Sequence, residues 1–201
     1  MCSSLRADVL VGFVAAAASV LLSASAPAQT VWTGLTYNFT KPPGANELDP
    51  TYQDAITPNV KLTRGGSGLY NAASETSYDM INYISPEHTL WATNIIPANA
   101  GETISATNWA NLVFTDWRTA YGGANQLKDN IIATNAVVYL TTDDIYLDLQ
   151  FNSWPGGFGA AGAFSYLRSE PPEVPEPAAG LLTAAGMLGL AIRRRRRKNP
   201  C

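Results

Sequence analysis

The chain has 201 residues, of which 46% are hydrophobic and 14% charged, and its formal net charge is −3. The charge is unevenly distributed. Seven of the 13 basic residues but only two of the 16 acidic residues, Asp8 and Glu176, lie outside residues 29–173, which leaves six basic and 14 acidic residues there and a net charge of −8. Such a surface repels phosphate groups, so it excludes a nucleic-acid-binding role. Both cysteines, Cys2 and Cys201, lie near the ends, so the middle segment has neither a disulfide nor a thiolate zinc site.

The N-terminal segment, residues 1–28, is typical of a signal peptide. Arg6 precedes an almost wholly apolar run, Val9 to Leu22, and small residues follow it. Ala26 and Ala28 occupy the two positions that a signal peptidase reads, so cleavage is expected after Ala28. Because the apolar run is short and ends in a cleavage motif, a signal helix is favoured over an uncleaved anchor or a buried helix.

The C-terminal segment has three consecutive parts. Residues 169–177 (SEPPEVPEP) contain four prolines and are expected to form an extended linker. Residues 178–192 carry no charge, and as a helix they would span about 22 Å, short of a bilayer core of about 30 Å. The basic tail, residues 193–201, fits a cytoplasmic stop after a short transmembrane helix. Its arginines are Arg193, Arg194, Arg195, Arg196 and Arg197.

This tail resembles a known sorting signal. The motif Val174, Pro175, Glu176 and Pro177, followed by a short apolar helix and an arginine cluster, is similar to the PEP-CTERM signal of bacterial exported proteins. The resemblance covers only about the last 25 residues. It implies recognition by a membrane-embedded exosortase in bacteria that make exopolysaccharide or biofilm. It implies nothing about the activity of the preceding domain.

The middle segment, residues 29–168, shows mainly the two-residue period of β-strands. In the clearest case, residues 144–151, Ile145, Leu147, Leu149 and Phe151 share one face. Several short predicted strands separated by turn-rich stretches indicate an all-β domain, an antiparallel β-sandwich of jelly-roll type. The other predicted strands are residues 30–40, 59–63, 90–95, 136–141 and 163–168, with residues 111–114 either a strand or part of a short helix through Trp117.

Several stretches of this segment are also similar to recurring segments of uncharacterised secreted bacterial proteins. They are VWTGLTYNF at 31–39, QDAITPNVKLTRG at 53–65, SPEHTLWA at 85–92, and DIYLDLQFNSW with AFSYLRS at 144–169. The similarity implies no particular activity.

Residues that could carry catalysis are scarce. His88 is the only histidine, and neither a Gly-x-Ser-x-Gly elbow nor a His-Glu-x-x-His sequence is present. Asp143, Asp144 and Asp148 surround the start of the clearest strand. Loop carboxylates suit calcium, so these three are calcium candidates, with ordinary solvated acids as the alternative. No other cofactor is expected.

The aromatic residues suggest a binding surface. Trp154, in a loop after a strand, is predicted to be exposed, and Trp32 lies on the strand face opposite Val31. Both are candidate glycan contacts, because the apolar face of an aromatic ring can pack against a sugar. The alternative for each is packing in the core. Arg64 and Arg168 each follow an alternating segment and are expected to pair with carboxylates at strand ends.

Together these features predict an exported, non-enzymatic surface or extracellular-matrix protein. Its processing partners would be signal peptidase and exosortase, it would be held transiently in the membrane by its C-terminal helix, and its setting would be the envelope or the exopolysaccharide layer. One alternative is a carbohydrate-binding module using exposed aromatic residues, with or without calcium. Another is a hydrolase or lyase acting on glycans.

Overall fold

The computed structural model describes residues 29–156 and 161–172 of the chain. The predicted signal peptide at 1–28, the PEP motif, the sorting helix at 178–192 and the basic tail all lie outside these residues. Among the helices that are described, none is long and apolar enough to cross a membrane.

Most of the large sheet is a meander of four strands that follow one another along the chain. Antiparallel pairs join β6 (Thr89–Thr93) to β7 (Asn135–Leu140), β7 to β8 (Ile145–Ser153), and β8 to β9 (Phe164–Arg168). This confirms the expectation that the alternating segments are strands. The pattern arises because β-branched and aromatic residues at every second position pack on one side of a pleated strand.

Two N-terminal strands complete the large sheet. β2 (Tyr37–Lys41) pairs antiparallel with β9, whereas β1 (Thr30–Trp32) lies parallel to the first residues of β8. The sequence predicted one strand over residues 30–40. The chain instead breaks near Gly34, whose φ of +85° is a conformation that favours glycine.

A second, smaller sheet contains β3 (Asp54–Ala55), β4 (Lys61–Arg64) and β5 (Leu69–Asn71), all antiparallel. The described helices are short, none of them longer than six residues. They are α1 (Trp117–Ala120), α2 (Leu127–Asn130) and 3-10 turns at Pro50–Tyr52, Pro97–Asn99 and Ala106–Asn111. The described domain is therefore mostly β, as predicted. Residues 111–114 form no strand: Asn111 ends a 3-10 turn, and α1 begins only at Trp117.

The large sheet has two different faces. One face packs against the small sheet, and Leu147, Leu149 and Phe151 of β8 share a hydrophobic core with Leu62 and Leu69. The shared face predicted for alternate residues of β8 is thus confirmed.

The opposite face of the large sheet is covered only in part. Part of this face lies under the 3-10 turn at Ala106–Asn111 and the residues that follow that turn. Tyr146 and Val137 are buried beneath this segment.

The folded domain extends one residue beyond its predicted end. Ser169, assigned to the linker from its sequence, is fully buried. Its backbone N–H donates to the carbonyl oxygen of Asp148 at 3.0 Å, and its hydroxyl accepts from the Asp148 N–H at 3.1 Å. The exposed part of the linker therefore begins at Glu170.

Candidate binding face

Trp154 is not the exposed ring that the sequence predicted. It is half-buried, with ring centroids 5.3 Å from Trp117 and 5.5 Å from Phe151. The Arg64 guanidinium lies 3.8 Å from its ring centroid. Trp154 therefore packs into the core beneath a cation, an arrangement that stabilises the loop rather than exposing the ring.

Trp32, the other predicted glycan contact, is 6% exposed. It pairs in register with Leu147 and belongs to the core between the two sheets. The prediction that Trp32 lies opposite Val31 is correct, but its side is the one that the small sheet covers. Trp32 is therefore a core residue, and the prediction that it contacts a glycan is wrong.

The three calcium candidates bond to different partners. Asp143 accepts hydrogen bonds from Thr57 at 2.7 Å and Asn59 at 2.8 Å, and Asp144 accepts one from the Tyr139 hydroxyl at 3.2 Å. Asp148 instead accepts from the backbone N–H of Ala106 at 2.6 Å. Within residues 29–156 and 161–172, no three His, Cys, Asp or Glu side chains form a group that could hold a metal ion.

The single histidine lies at the edge of the large sheet. His88 is exposed, has a φ of +63°, and comes immediately before β6. Its backbone carbonyl accepts a hydrogen bond from Thr141 at 2.9 Å. This bond extends the pairing of β6 with β7 by one residue.

The two arginines differ in their partners. Arg168 forms the expected ion pair, with its Nε 2.7 Å and its Nη2 2.9 Å from the two Asp54 carboxylate oxygens. Arg64 has no such bond to a carboxylate among the described residues, and its Nη1 donates instead to the carbonyl oxygens of Pro155 and Ala163. The carboxylate pairing expected of Arg168 is therefore confirmed, whereas that expected of Arg64 is wrong, because its guanidinium is bound by backbone carbonyls instead.

The partly covered face of the large sheet carries a row of apolar side chains. In register across four strands lie Leu90, Tyr139, Tyr146 and Val31. The Tyr139 and Tyr146 rings stack with centroids 4.4 Å apart and an interplanar angle of 10°. Trp109 stacks on Tyr146 with centroids 4.6 Å apart.

Phe114 of the covering segment completes this surface. It meets Tyr139 and Tyr146 edge-on, with ring centroids 6.3 Å and 5.7 Å away. We call this surface the aromatic face; it consists of Leu90, Trp109, Phe114, Tyr139 and Tyr146.

Only the middle ring of the stack is fully packed. Tyr146 is buried, and burial, with smaller contributions from Tyr139 and Asp144, raises its pKa to about 12. Trp109, Phe114 and Tyr139 each keep part of their surface in solvent. The face therefore offers ring surface to a ligand without needing to rearrange.

Polar groups continue this face along β8. Asp148 and Gln150 follow Tyr146 at two-residue spacing, and the Gln150 amide donates to Asn135 Oδ1 at 2.6 Å. A cavity of about 140 Å³ lies beside them, lined among others by Ser105, Asn135 and Asp148. Amide, hydroxyl and carboxylate groups thus lie next to the aromatic rings.

Burial raises the pKa of Asp148, although the backbone N–H groups of Ala106 and Gly34 donate to the carboxylate and oppose the shift. A raised folded-state pKa stabilises the fold at low pH, and this contribution is lost as pH rises through the folded-state value. The stability of the wild type relative to Asp148→Asn should therefore fall as pH rises above about 4.

Urea unfolding of both proteins across this range measures the difference. Gln150→Ala, a change on the same face that removes no titrating group, should differ from the wild type by an amount independent of pH. A rise in the relative stability of the wild type with pH would contradict the raised pKa of Asp148.

Part of this face could be predicted from the sequence. Alternation along residues 144–151 placed Tyr146, Asp148 and Gln150 on one side. Nothing in the spacing indicated that Trp109 and Phe114, more than 30 residues earlier, would cover that side.

Comparison with known proteins finds no match: no family model, no curated protein and no solved structure is similar to the chain. The functional conclusion therefore depends on the two ends of the sequence and on the surfaces of the described domain.

Proposed function

We propose that this chain is an exported protein, sorted through its C-terminal tail, that acts without catalysis in the cell envelope or exopolysaccharide layer. One observation carries the proposal. A signal-peptide pattern ending at Ala28 and a tail with Pro175-Glu176-Pro177, an apolar segment and an arginine cluster flank a single domain. The tail resembles the PEP-CTERM signal, which implies exosortase as the processing partner.

Composition supports the same compartment. The segment between the two signals contains no cysteine, so its folding is independent of the redox state outside the cell. Its net charge of −8 favours solubility and discourages binding to anionic polymers.

Two of the described carboxylates are committed to structural bonds. Asp54 is engaged by Arg168 and Tyr166, and Asp143 by Thr57 and Asn59. Each of these carboxylates joins segments distant in sequence. Acid–base catalysis requires a carboxyl group with access to a substrate proton, and groups committed to structural bonds do not offer it.

For the finer architecture we propose a two-layer β-sandwich, with the small sheet packed across one face of the large one. Its support is the single core that joins Leu62 and Leu69 of the small sheet to Phe151 of the large sheet. The connections from β6 to β9 form a meander, whereas a jelly roll has Greek-key connections. We therefore do not propose a jelly roll.

A carbohydrate-binding role is the second candidate. The observation that favours it is the aromatic face, where Trp109, Phe114 and Tyr139 remain partly exposed beside polar groups. Binding of this kind is compatible with a passive role in an exopolysaccharide layer.

Export is tested by producing the full chain in an exopolysaccharide-forming bacterium with and without its exosortase. With the enzyme, intact mass should show a chain that begins at Gln29 and has lost the arginine cluster. Without it, the tail should remain and the chain should stay in the membrane fraction. Ala28→Lys should block the first cleavage.

The matched control lies in the linker itself. Pro175→Ala should prevent tail processing, whereas Pro171→Ala, a proline outside the motif, should not. A chain that keeps residues 1–28 and fractionates with the cytoplasm would refute the proposed export. Equal processing of both proline variants would refute a role for the motif.

A further inference from the structure

We propose that the aromatic face is a binding site for neutral polysaccharide. The inference deepens the proposed role in the exopolysaccharide layer and rests on it. The proposed contacts are not the predicted Trp154 and Trp32. They are mainly Trp109 and Tyr139, on the opposite side of the large sheet.

The first support is the chemistry of the rings. One side of a sugar ring presents C–H groups, which pack on an aromatic face, while the hydroxyls at its edge need hydrogen bonds. Trp109 has a single aromatic neighbour within the described residues, Tyr146, at 4.6 Å. Its other ring face is therefore not covered by a second aromatic ring, and the side chain is partly exposed.

The second support is that the rings are held in place before a ligand arrives. Tyr146 lies between Trp109 and Tyr139, and the Tyr139 hydroxyl donates to Asp144 at 3.2 Å. Cross-strand pairing of Tyr139 with Tyr146 fixes both on the sheet. A site with immobile side chains loses less conformational entropy when it binds.

The third support is the position of the polar groups. Gln150 lies four residues after Tyr146 on β8, about 13 Å along the strand. Asn135 bonds to Gln150 from β7, and Asn135 and Asp148 both line the adjoining cavity. Hydroxyl-rich ligands need such donors and acceptors, and the separation suits an extended chain of sugars better than a single one.

Charge decides which polysaccharides the face accepts. The domain has a net charge of −8, and Asp144 and Asp148 lie on or beside the face itself. Uronate and sulfate polymers would be repelled, so a neutral polymer is the expected ligand.

The composition of the face separates it from a second exposed apolar segment. Met80, Ile81 and Ile84 are exposed aliphatic side chains, Ile81 to 85%, and the Arg118 guanidinium lies 3.7 Å from the ring centroid of their neighbour Tyr83 and covers one face of that ring. Aliphatic side chains provide apolar area but no flat ring surface for a sugar. This segment therefore supplies a control position rather than a glycan site.

The test uses the full chain, purified in a mild detergent, and titration calorimetry against cellohexaose, galactomannan and dextran, with alginate as the anionic comparison. Saturable binding to at least one neutral glycan, and none to alginate, is expected. Trp109→Ala and Tyr139→Ala should each weaken it at least tenfold, whereas Ile81→Ser should leave it unchanged.

Thermal unfolding of each variant separates loss of the site from loss of the fold. Should Trp109→Ala unfold, Leu90→Ser at the exposed rim of the face should still weaken binding. Absence of binding to all three neutral glycans, equal binding by every variant, or binding to alginate alone would each overturn the proposal. Self-association abolished by Trp109→Ala, without glycan binding, would show instead that the face binds a second copy of the chain. Because these assays use purified protein, their outcome is independent of whether the chain is exported.

Discussion

Replacing Asp54 by asparagine is expected to lower the free energy of unfolding by about 3–5 kcal/mol. Asp54 is 2% exposed and Arg168 is 6% exposed. The two side chains form a bidentate pair, and the Tyr166 hydroxyl adds a hydrogen bond of 2.6 Å to the same carboxylate. Asparagine has nearly the same shape but no charge, so the buried guanidinium would lose its counter-ion.

This pair also joins the two sheets. Asp54 belongs to β3 of the small sheet, whereas Arg168 and Tyr166 belong to β9 of the large one. Its loss should therefore loosen the packing between layers as well as destabilise the chain.

Urea unfolding of Asp54→Asn measures the effect, with Asp129→Asn as the matched control. Asp129 is exposed in α2, and its substitution should change stability by no more than about 0.5 kcal/mol. Tyr166→Phe, which removes only one of the hydrogen bonds to Asp54, should cost about 1–2 kcal/mol. Equal stability of the wild type and Asp54→Asn would show that the guanidinium finds another acceptor or water.

Truncating Trp91 to alanine should cost about 3–5 kcal/mol. The side chain is fully buried, and its ring centroid lies 6.2 Å from that of Phe151 and 6.3 Å from that of Tyr121. Its indole N–H donates to the Thr89 hydroxyl at 2.9 Å. The substitution would leave a large cavity in the core, and the surrounding aromatic rings could collapse into it only in part.

Trp109→Ala is the matched control for Trp91→Ala, because it removes the same side chain from the opposite side of the large sheet. Trp109 is partly exposed, so its loss should cost at most about half as much. Near-equal destabilisation by the two substitutions would show that the aromatic face is a second core rather than a surface available for binding.

The amino-acid sequence by itself determined most strands of the large sheet and the character of the domain. Leu147, Leu149 and Phe151 share a face because side chains alternate along any extended strand, whatever lies next to it. The acidic charge and the absence of cysteine between the two ends are likewise properties of composition. The proposed export signals are read from local order along the chain, and they remain sequence predictions.

Only the tertiary structure decided which sides of the strands are covered. A two-residue period places Trp32 opposite Val31 and Tyr146 opposite Leu147 but does not reveal which side meets another layer. Trp32 proved to face the small sheet, and Trp154 lies beneath Arg64. The physical reason is that exposure depends on contacts between distant segments.

The Asp54–Arg168 pair and the proposed site show the same limit. Asp54 and Arg168 are separated by 114 residues in the chain, and their pairing requires both sheets to be in place. The stack of Trp109 on Tyr146 joins a 3-10 turn to a strand 37 positions later. Local propensity contains no information about pairs so far apart, so the binding face became visible only when the segments were assembled.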